Sequence, residues 1–128
     1  EFNEVIYAND TFLAFGFKGV IRSSLNGESW TKRKSGRSMG LLGATSGNST
    51  FIAVGNSGTV ITSSDGTQWT KRESGTKKNL RGITHGNGKF VAVGIAGTIL
   101  TSPESSTWTK RESGTSKHLR RVFFKLMD

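Results

Sequence analysis

The chain has 128 residues, a length that allows one domain. Hydrophobic residues make up 33% of it, and 18 Lys and Arg against 9 Asp and Glu give a net charge of +9, so it can fold only if its few apolar side chains are placed economically. The absence of cysteine excludes disulfides and thiolate metal sites. No apolar run approaches the roughly 18 residues of a membrane span, and the first residues lack a signal-peptide pattern. We therefore expect a soluble chain with no membrane partner.

A repeat of 39 residues runs through the sequence. The motif WTKR begins at Trp30, Trp69 and Trp108, 39 residues apart each time. Residues 41–79 match 80–118 at 22 of 39 positions without a gap. The sequence therefore predicts a single repeat domain of three copies, 2–40, 41–79 and 80–118. The segment LRRVFF resembles the start of a copy and predicts an extra strand at 119–124.

Each copy has the pattern of four short strands joined by turns. In the third copy the segments LRGITHG, FVAVG, TILTS and TWTKRES are separated by glycine-containing or polar turns. A strand and its turn about every ten residues is typical of an all-β protein. Glycine in the turns leaves no stretch long enough for a helix.

Four strands in about 40 residues favour the blade of a β-propeller over other repeat architectures. A β-helix or a β-sandwich is the alternative. Closed propellers have about 4–8 blades, so three copies fall short of a ring. We predict that the chain closes a six-bladed ring by forming a homodimer, which also covers the exposed sheet faces. The alternative is a segment of a longer chain, since Glu1-Phe2 and Lys125-Leu126 are dipeptides that common cloning sites encode.

The second copy carries a motif, SSDGTQWT at 63–70, that supports this fold. It resembles the Asp-box, or bacterial neuraminidase repeat (BNR), element, particularly in propellers related to the photosystem II stability and assembly factor. Asn26 and Glu104 replace the aspartate in the first and third copies. The resemblance implies a propeller without fixing an activity, because the element occurs in hydrolases, receptors and assembly factors. The residues that match it are Ser63, Asp65, Gly66 and Trp69.

The Asp-box residues are expected to be structural. Trp30, Trp69 and Trp108 could stack on sugars, but we expect the indoles to pack under their own turns as core. Asp65 is expected to accept backbone hydrogen bonds within its turn. One carboxylate per turn is too few for calcium, so we predict no metal site and no cofactor.

Basic residues recur in two places in each copy. Lys-Arg pairs in the fourth strand, such as Lys71-Arg72, are expected to guard an outer sheet edge against aggregation. The connections into the next copy carry a second set that could bind anionic groups, the alternative being a solvated loop. These candidate ligand-binding residues are Lys77, Lys78, Arg81, Lys117, His118, Arg120 and Arg121.

Catalytic machinery is not recognisable. A glycosidase needs two facing carboxylates, and the sialidase resemblance implies a tyrosine nucleophile with an acidic partner. Tyr7 and Glu4 lie in the least repeat-like part of the chain and do not complete such a set. We predict a protein that is not an enzyme but a non-catalytic binding or scaffolding module, with a second copy of itself and an acidic protein surface or a glycan as partners. The main alternative is a lectin-like propeller; a sialidase-type glycosidase or a nucleic-acid binder fits less well, and nucleic acid should adhere only weakly and non-specifically.

Overall fold

The computed structural model describes residues 1–125, which form three antiparallel four-stranded sheets and three short 3-10 turns. The first sheet contains β1 (Phe2–Ala8), β2 (Thr11–Gly16), β3 (Ile21–Ser24) and β4 (Thr31–Arg33). The second contains β5 (Leu41–Gly47), β6 (Thr50–Gly55), β7 (Val60–Ser63) and β8 (Thr70–Arg72). The third contains β9 (Leu80–Gly86), β10 (Lys89–Gly94), β11 (Ile99–Ser102) and β12 (Thr109–Arg111). The 3-10 turns are Phe17–Gly19, Asn56–Gly58 and Ile95–Gly97.

Strand order within each sheet follows the chain, so every copy folds as one meander. The first hairpin of each copy turns on two residues, 9–10, 48–49 or 87–88, all with positive φ. Asn, Asp, Ser and Gly tolerate that conformation, which matches the twist of the flanking strands. The all-β prediction and the prediction of four-stranded blades are confirmed.

The hydrophobic core lies between the sheets. Each sheet presents apolar side chains on both faces, which explains why strands such as β6 are continuously buried instead of alternating. Complete burial of each large apolar side chain contributes about 1.5–3 kcal/mol. The seam between the first and second sheets contains Leu13, Phe15, Ile21, Leu41, Phe51 and Ile61. The seam between the second and third sheets contains Ile52, Val54, Val60, Leu80, Phe90 and Leu100.

The connection that leaves each outer strand returns across its own blade. Ser74 donates a hydrogen bond to the Gly58 carbonyl at 2.7 Å, and Gly58 has a φ of +73°. A Cβ at Gly58 would collide with the Thr76 carbonyl, so only glycine permits this close approach. The connection thereby brings the chain back to the inner strand of the next copy.

The first strand of each copy, β1, β5 or β9, lies on the inner side of the assembly, where successive inner strands are neighbours. A Cβ at Gly43 would lie 3.0 Å from the Arg81 carbonyl oxygen, so the glycine lets β5 and β9 approach closely. The fourth strands form the opposite edge of each sheet and carry the recurrent Lys-Arg pairs.

The prediction of an extra strand at 119–124 is wrong, because no residue from 112 to 125 is in a strand. The segment nevertheless lies where the inner strand of a following sheet would lie. Leu119 donates its N–H to the Gly94 carbonyl at 2.9 Å, Arg120 approaches Gly82, and Phe124 covers Gly86. In each copy the inner strand pairs with the second strand of its own sheet. Residues 1–125 offer the tail no such partner, so it cannot form a ladder.

Candidate functional site

The turn after the third strand of the second copy is closed by its own side chains. Ser63 Oγ accepts the Gly66 N–H at 2.8 Å. Asp65 Oδ1 accepts the N–H groups of Thr67 at 2.8 Å and Gln68 at 3.0 Å. This geometry occupies the carboxylate with backbone donors and gives Asp65 a structural role in the turn.

The substituted turns keep the same bonds. Asn26 Oδ1 accepts the Ser29 N–H at 2.9 Å, and Glu104 Oε1 accepts the Thr107 N–H at 2.8 Å. The Thr107 N–H, followed by the Ser106 hydroxyl, lowers the pKa of Glu104 to about 2. Hydrogen bonds from the Gln68 and Thr67 N–H groups likewise lower the pKa of Asp65. Both carboxyl groups are therefore ionised at neutral pH and unsuited to act as general acids.

The three tryptophans bond to their own turns but differ in burial. Each indole Nε1 donates to a turn carbonyl at 2.9–3.2 Å. Trp69 packs edge-on against Phe15 of the preceding sheet, with ring centroids 5.6 Å apart, and Trp108 packs on the next seam. Trp30 is 41% exposed, because no described sheet precedes the first. The indoles of the second and third copies are therefore engaged in seams.

The predicted basic residues divide between two locations. Lys77, Lys78 and Lys117 are exposed in the connections between copies. His118 lies in the same kind of connection, and its Nδ1 accepts the Ala96 N–H at 2.9 Å, fixing the connection to the 3-10 turn.

The remaining predicted residues lie on inner-strand positions. Arg81 belongs to β9 and is half-buried, and its buried Nε has no hydrogen-bond partner within residues 1–125. Arg120 and Arg121 are exposed in the tail. Arg121 Nη1 lies 3.8 Å from Glu4 Oε2 of β1. A ligand site formed by all seven residues stays a prediction.

A strongly basic hollow on the first sheet was missed by sequence reasoning. It has a volume of about 580 Å³, and no acidic residue lines it. The repeat held a signal for it, because Lys34 stands where the other copies have Glu73 and Glu112. The cations that line this first-sheet hollow are Lys18, Arg22, Lys32, Arg33, Lys34 and Arg37.

A smaller hollow of about 180 Å³ lies on the second sheet. Arg37 of the preceding connection lines it together with Lys71, Glu73 and the predicted residue Lys77. Connections thus bring cations from one copy onto the next.

Two other classes of site are absent from the same part of the chain. Within residues 1–125, no three His, Asp or Glu side chains come together as metal ligands. None of the helical segments in that range has the length and apolarity needed to span a membrane.

The fold defines three consecutive blades of a β-propeller. No family model matches the chain, and no curated protein matches it. Among solved structures, the chain is similar to one described as "YCF48 bound to D1 peptide", with a TM-score of 0.72 and 15% sequence identity. The match covers 85% of this chain and 38% of that one, so the chain spans well under half of that protein's length. The β-propeller prediction is confirmed by this likeness, which at such low identity concerns the fold alone.

Proposed function

We propose that two copies of this chain close a six-bladed propeller ring that acts as a non-catalytic binding module for acidic partners. The observation that carries the proposal is the outward face of the first sheet. Phe2 is 54% exposed where its equivalent Leu41 is fully buried, and Val5 is 57% exposed where Ala44 is 6% exposed. This face repeats the apolar positions by which the second sheet packs on the first.

The third sheet offers the complementary surface. Val91, Val93 and Ile99 stand at the positions of Ile52, Val54 and Val60, which the second sheet buries against the third. In the single chain Val91 and Ile99 are half-buried, and Val93 is already 4% exposed. Each chain thus carries both halves of an interface that it already forms twice internally. A second copy is therefore the occupant that fits, and a two-fold ring leaves neither face bare.

One residue on the outward face of the first sheet makes that face less suited to packing against a second copy. Arg22 stands where Ile61 and Leu100 are buried in the other sheets. Its guanidinium must reach the rim of the interface to stay solvated, while its aliphatic stem packs. We expect the contact between chains to be weaker than the internal seams and to depend on concentration.

The tail takes part in closing the ring. It already occupies the place of an inner strand beside β9, and its residues Leu119 and Val122 correspond to Phe2 and Val5 three periods earlier. In the dimer the tail pairs with β2 of the partner subunit, in place of that subunit's own β1, so Leu119 and Val122 take the interface positions that Phe2 and Val5 hold in the single chain. This exchange gives the tail the ladder that it lacks within its own chain.

Two truncations test the dimer and the exchange together. Removing residues 119–128 should leave a folded monomer, whereas removing residues 1–8, the matched inner segment, should leave a dimer. Circular dichroism establishes that each variant retains its β-sheet spectrum, and light scattering measures its mass. A dimer that survives loss of the tail but not of residues 1–8 would reverse the assignment of the exchanged strand.

The basic surface lies at the seam between chains. Since Arg37 lines the hollow on the second sheet, the third connection of the partner subunit would by the same geometry line the first-sheet hollow. The equivalent of Arg37 in that connection is Thr115 of the partner subunit, which adds no charge. The six cations that the first sheet itself contributes carry the argument, because their summed charge, with no acidic residue among them, favours an acidic peptide or protein surface. The similar structure is described as bound to a peptide, which supports a peptide-binding role.

An oligoglutamate peptide is a direct probe of this surface. Lys34→Glu introduces the residue that the other copies hold, so it should preserve the fold while weakening peptide binding roughly tenfold. Lys110→Glu makes the same charge change on the outer strand of the third sheet and should have little effect. Equal losses in the two variants would show non-specific attraction and contradict a localised site.

A further inference from the structure

A polar cleft is repeated between neighbouring sheets, on the side where the Asp-box turns lie. The cleft between the first and second sheets has a volume of about 400 Å³. The cleft between the second and third sheets has a volume of about 320 Å³. Dimer formation is not needed to build them, and Arg33 is the one cation that the first cleft shares with the first-sheet hollow.

The two clefts present the same chemistry at equivalent repeat positions. In each, two threonines and an arginine of one sheet face a carboxylate from the turn of the next sheet. The first cleft contains Thr11, Thr31, Arg33 and Asp65. The second contains Thr50, Thr70, Arg72 and Glu104, and it differs from the first in also containing Asp65 of its own turn, where the first cleft has Asn26.

The arginine is held in place with part of its guanidinium unused. Arg33 Nε donates to Ser23 Oγ at 2.9 Å, and Arg72 Nε donates to Thr62 Oγ1 at 3.0 Å. Within residues 1–125, no carboxylate lies within 4.0 Å of either side chain. The terminal N–H groups of both arginines therefore remain available to a ligand from a fixed position.

We infer that these clefts bind a neutral hydroxyl-rich ligand of the size of a pyranose sugar. Such a ligand both donates and accepts hydrogen bonds, which matches an arginine and a carboxylate separated by threonine hydroxyls. A simple anion would gain from the arginine but be repelled by the ionised carboxylate at the same rim. Since the indoles of Trp69 and Trp108 are engaged in seams, polar contacts provide the recognition and binding is weak.

The third copy provides an internal control. Arg111 Nε donates to Thr101 Oγ1 at 3.0 Å, as its equivalents do. However, residues 1–125 place no following Asp-box turn opposite it. In the proposed dimer the turn that follows would carry Asn26 of the partner subunit in place of a carboxylate, so this cleft would still lack one of its groups. Each chain therefore carries two complete sites.

The test uses methyl glycosides of glucose, galactose, mannose and N-acetylglucosamine as probes, with inorganic phosphate as a comparison. Amide shifts in two-dimensional NMR should move around Arg33 and Arg72 with at least one sugar. The double variant R33Q/R72Q should weaken that binding roughly tenfold or more, because each cleft loses charged hydrogen bonds. The variant R111Q loses the matching structural bond and should leave sugar binding unchanged.

Three results would overturn the inference. They are no sugar-dependent shift at the highest soluble concentration, equal loss of binding in R111Q and in the double variant, and arginine-dependent shifts with phosphate but with none of the sugars. Thermal unfolding of every variant verifies that the fold is retained. Loss of the dimer in the truncation experiment would leave these outcomes unaffected, so the two proposals fail separately.

Discussion

The seam between the first and second sheets and the outward face of the first sheet are built from the same repeat positions, yet their surroundings differ. Phe51 is 1% exposed within the seam, whereas its equivalent Phe12 is half-buried on the outward face. Both rings lie under their own turns, beside Gly66 and Gly27 respectively. The comparison shows that the repeat specifies the blade, while the neighbouring sheet supplies most of the burial.

Replacing these two phenylalanines should give the largest difference. Phe51→Ala removes a fully packed ring and should lower the free energy of unfolding by about 3–5 kcal/mol. Phe12→Ala removes a ring that contacts mainly Tyr7 and Trp30 and should cost about 1 kcal/mol at dilute concentration. Urea unfolding measures both values. Equal losses would show that the outward face is as well packed as the seam.

The close approach of the returning connection can be tested with glycines. Gly58→Ala would drive a methyl group into the Thr76 carbonyl and should cost roughly 3 kcal/mol. Gly75→Ala is the matched control, since Gly75 also has a positive φ, +84°, but no atom lies within 4 Å of the place that its new methyl group would take. The control should cost only about 1 kcal/mol of backbone strain. Similar losses in urea unfolding would contradict the close contact.

The smallest expected effect concerns acid. The pKa of Glu104 is lowered from 4.5 to about 2 by its turn, so its ionised form stabilises the fold above pH 4.5 and that contribution is lost as pH falls towards about 2. Glu104→Gln should therefore have a lower melting temperature than the unaltered chain at neutral pH. The difference between the two melting temperatures should become smaller in acid. Glu112→Gln, whose carboxylate accepts no hydrogen bond within residues 1–125, serves as the control. A difference in melting temperature that grows in acid would contradict the stabilising role of the ionised carboxylate.

The three four-stranded sheets could be predicted from the sequence, because the same pattern of short strands and turns occurs in all three copies. The four segments of each copy and the turns between them followed from the repeat and its glycine and polar residues. The tail could not be predicted in the same way, because LRRVFF has the pattern of a strand but a strand also requires a partner, which the described residues do not provide.

The candidate sites depended on packing that the period does not encode. Lys77 and Arg81 are close in sequence, but Lys77 lies in an exposed connection and Arg81 lies in the inner strand β9. The first-sheet hollow and the clefts between sheets join residues from different elements or different copies. For the first-sheet hollow the sequence held one signal, Lys34, which stands where the other two copies have glutamate.

The mass of the unaltered chain in solution tests the central claim most directly. Light scattering over a concentration series should show a dimer of 13.8 kDa chains that dissociates on dilution. A folded chain that stays monomeric at every concentration would contradict the six-bladed ring, and a mass that keeps growing with concentration would show open stacking of blades in place of closure.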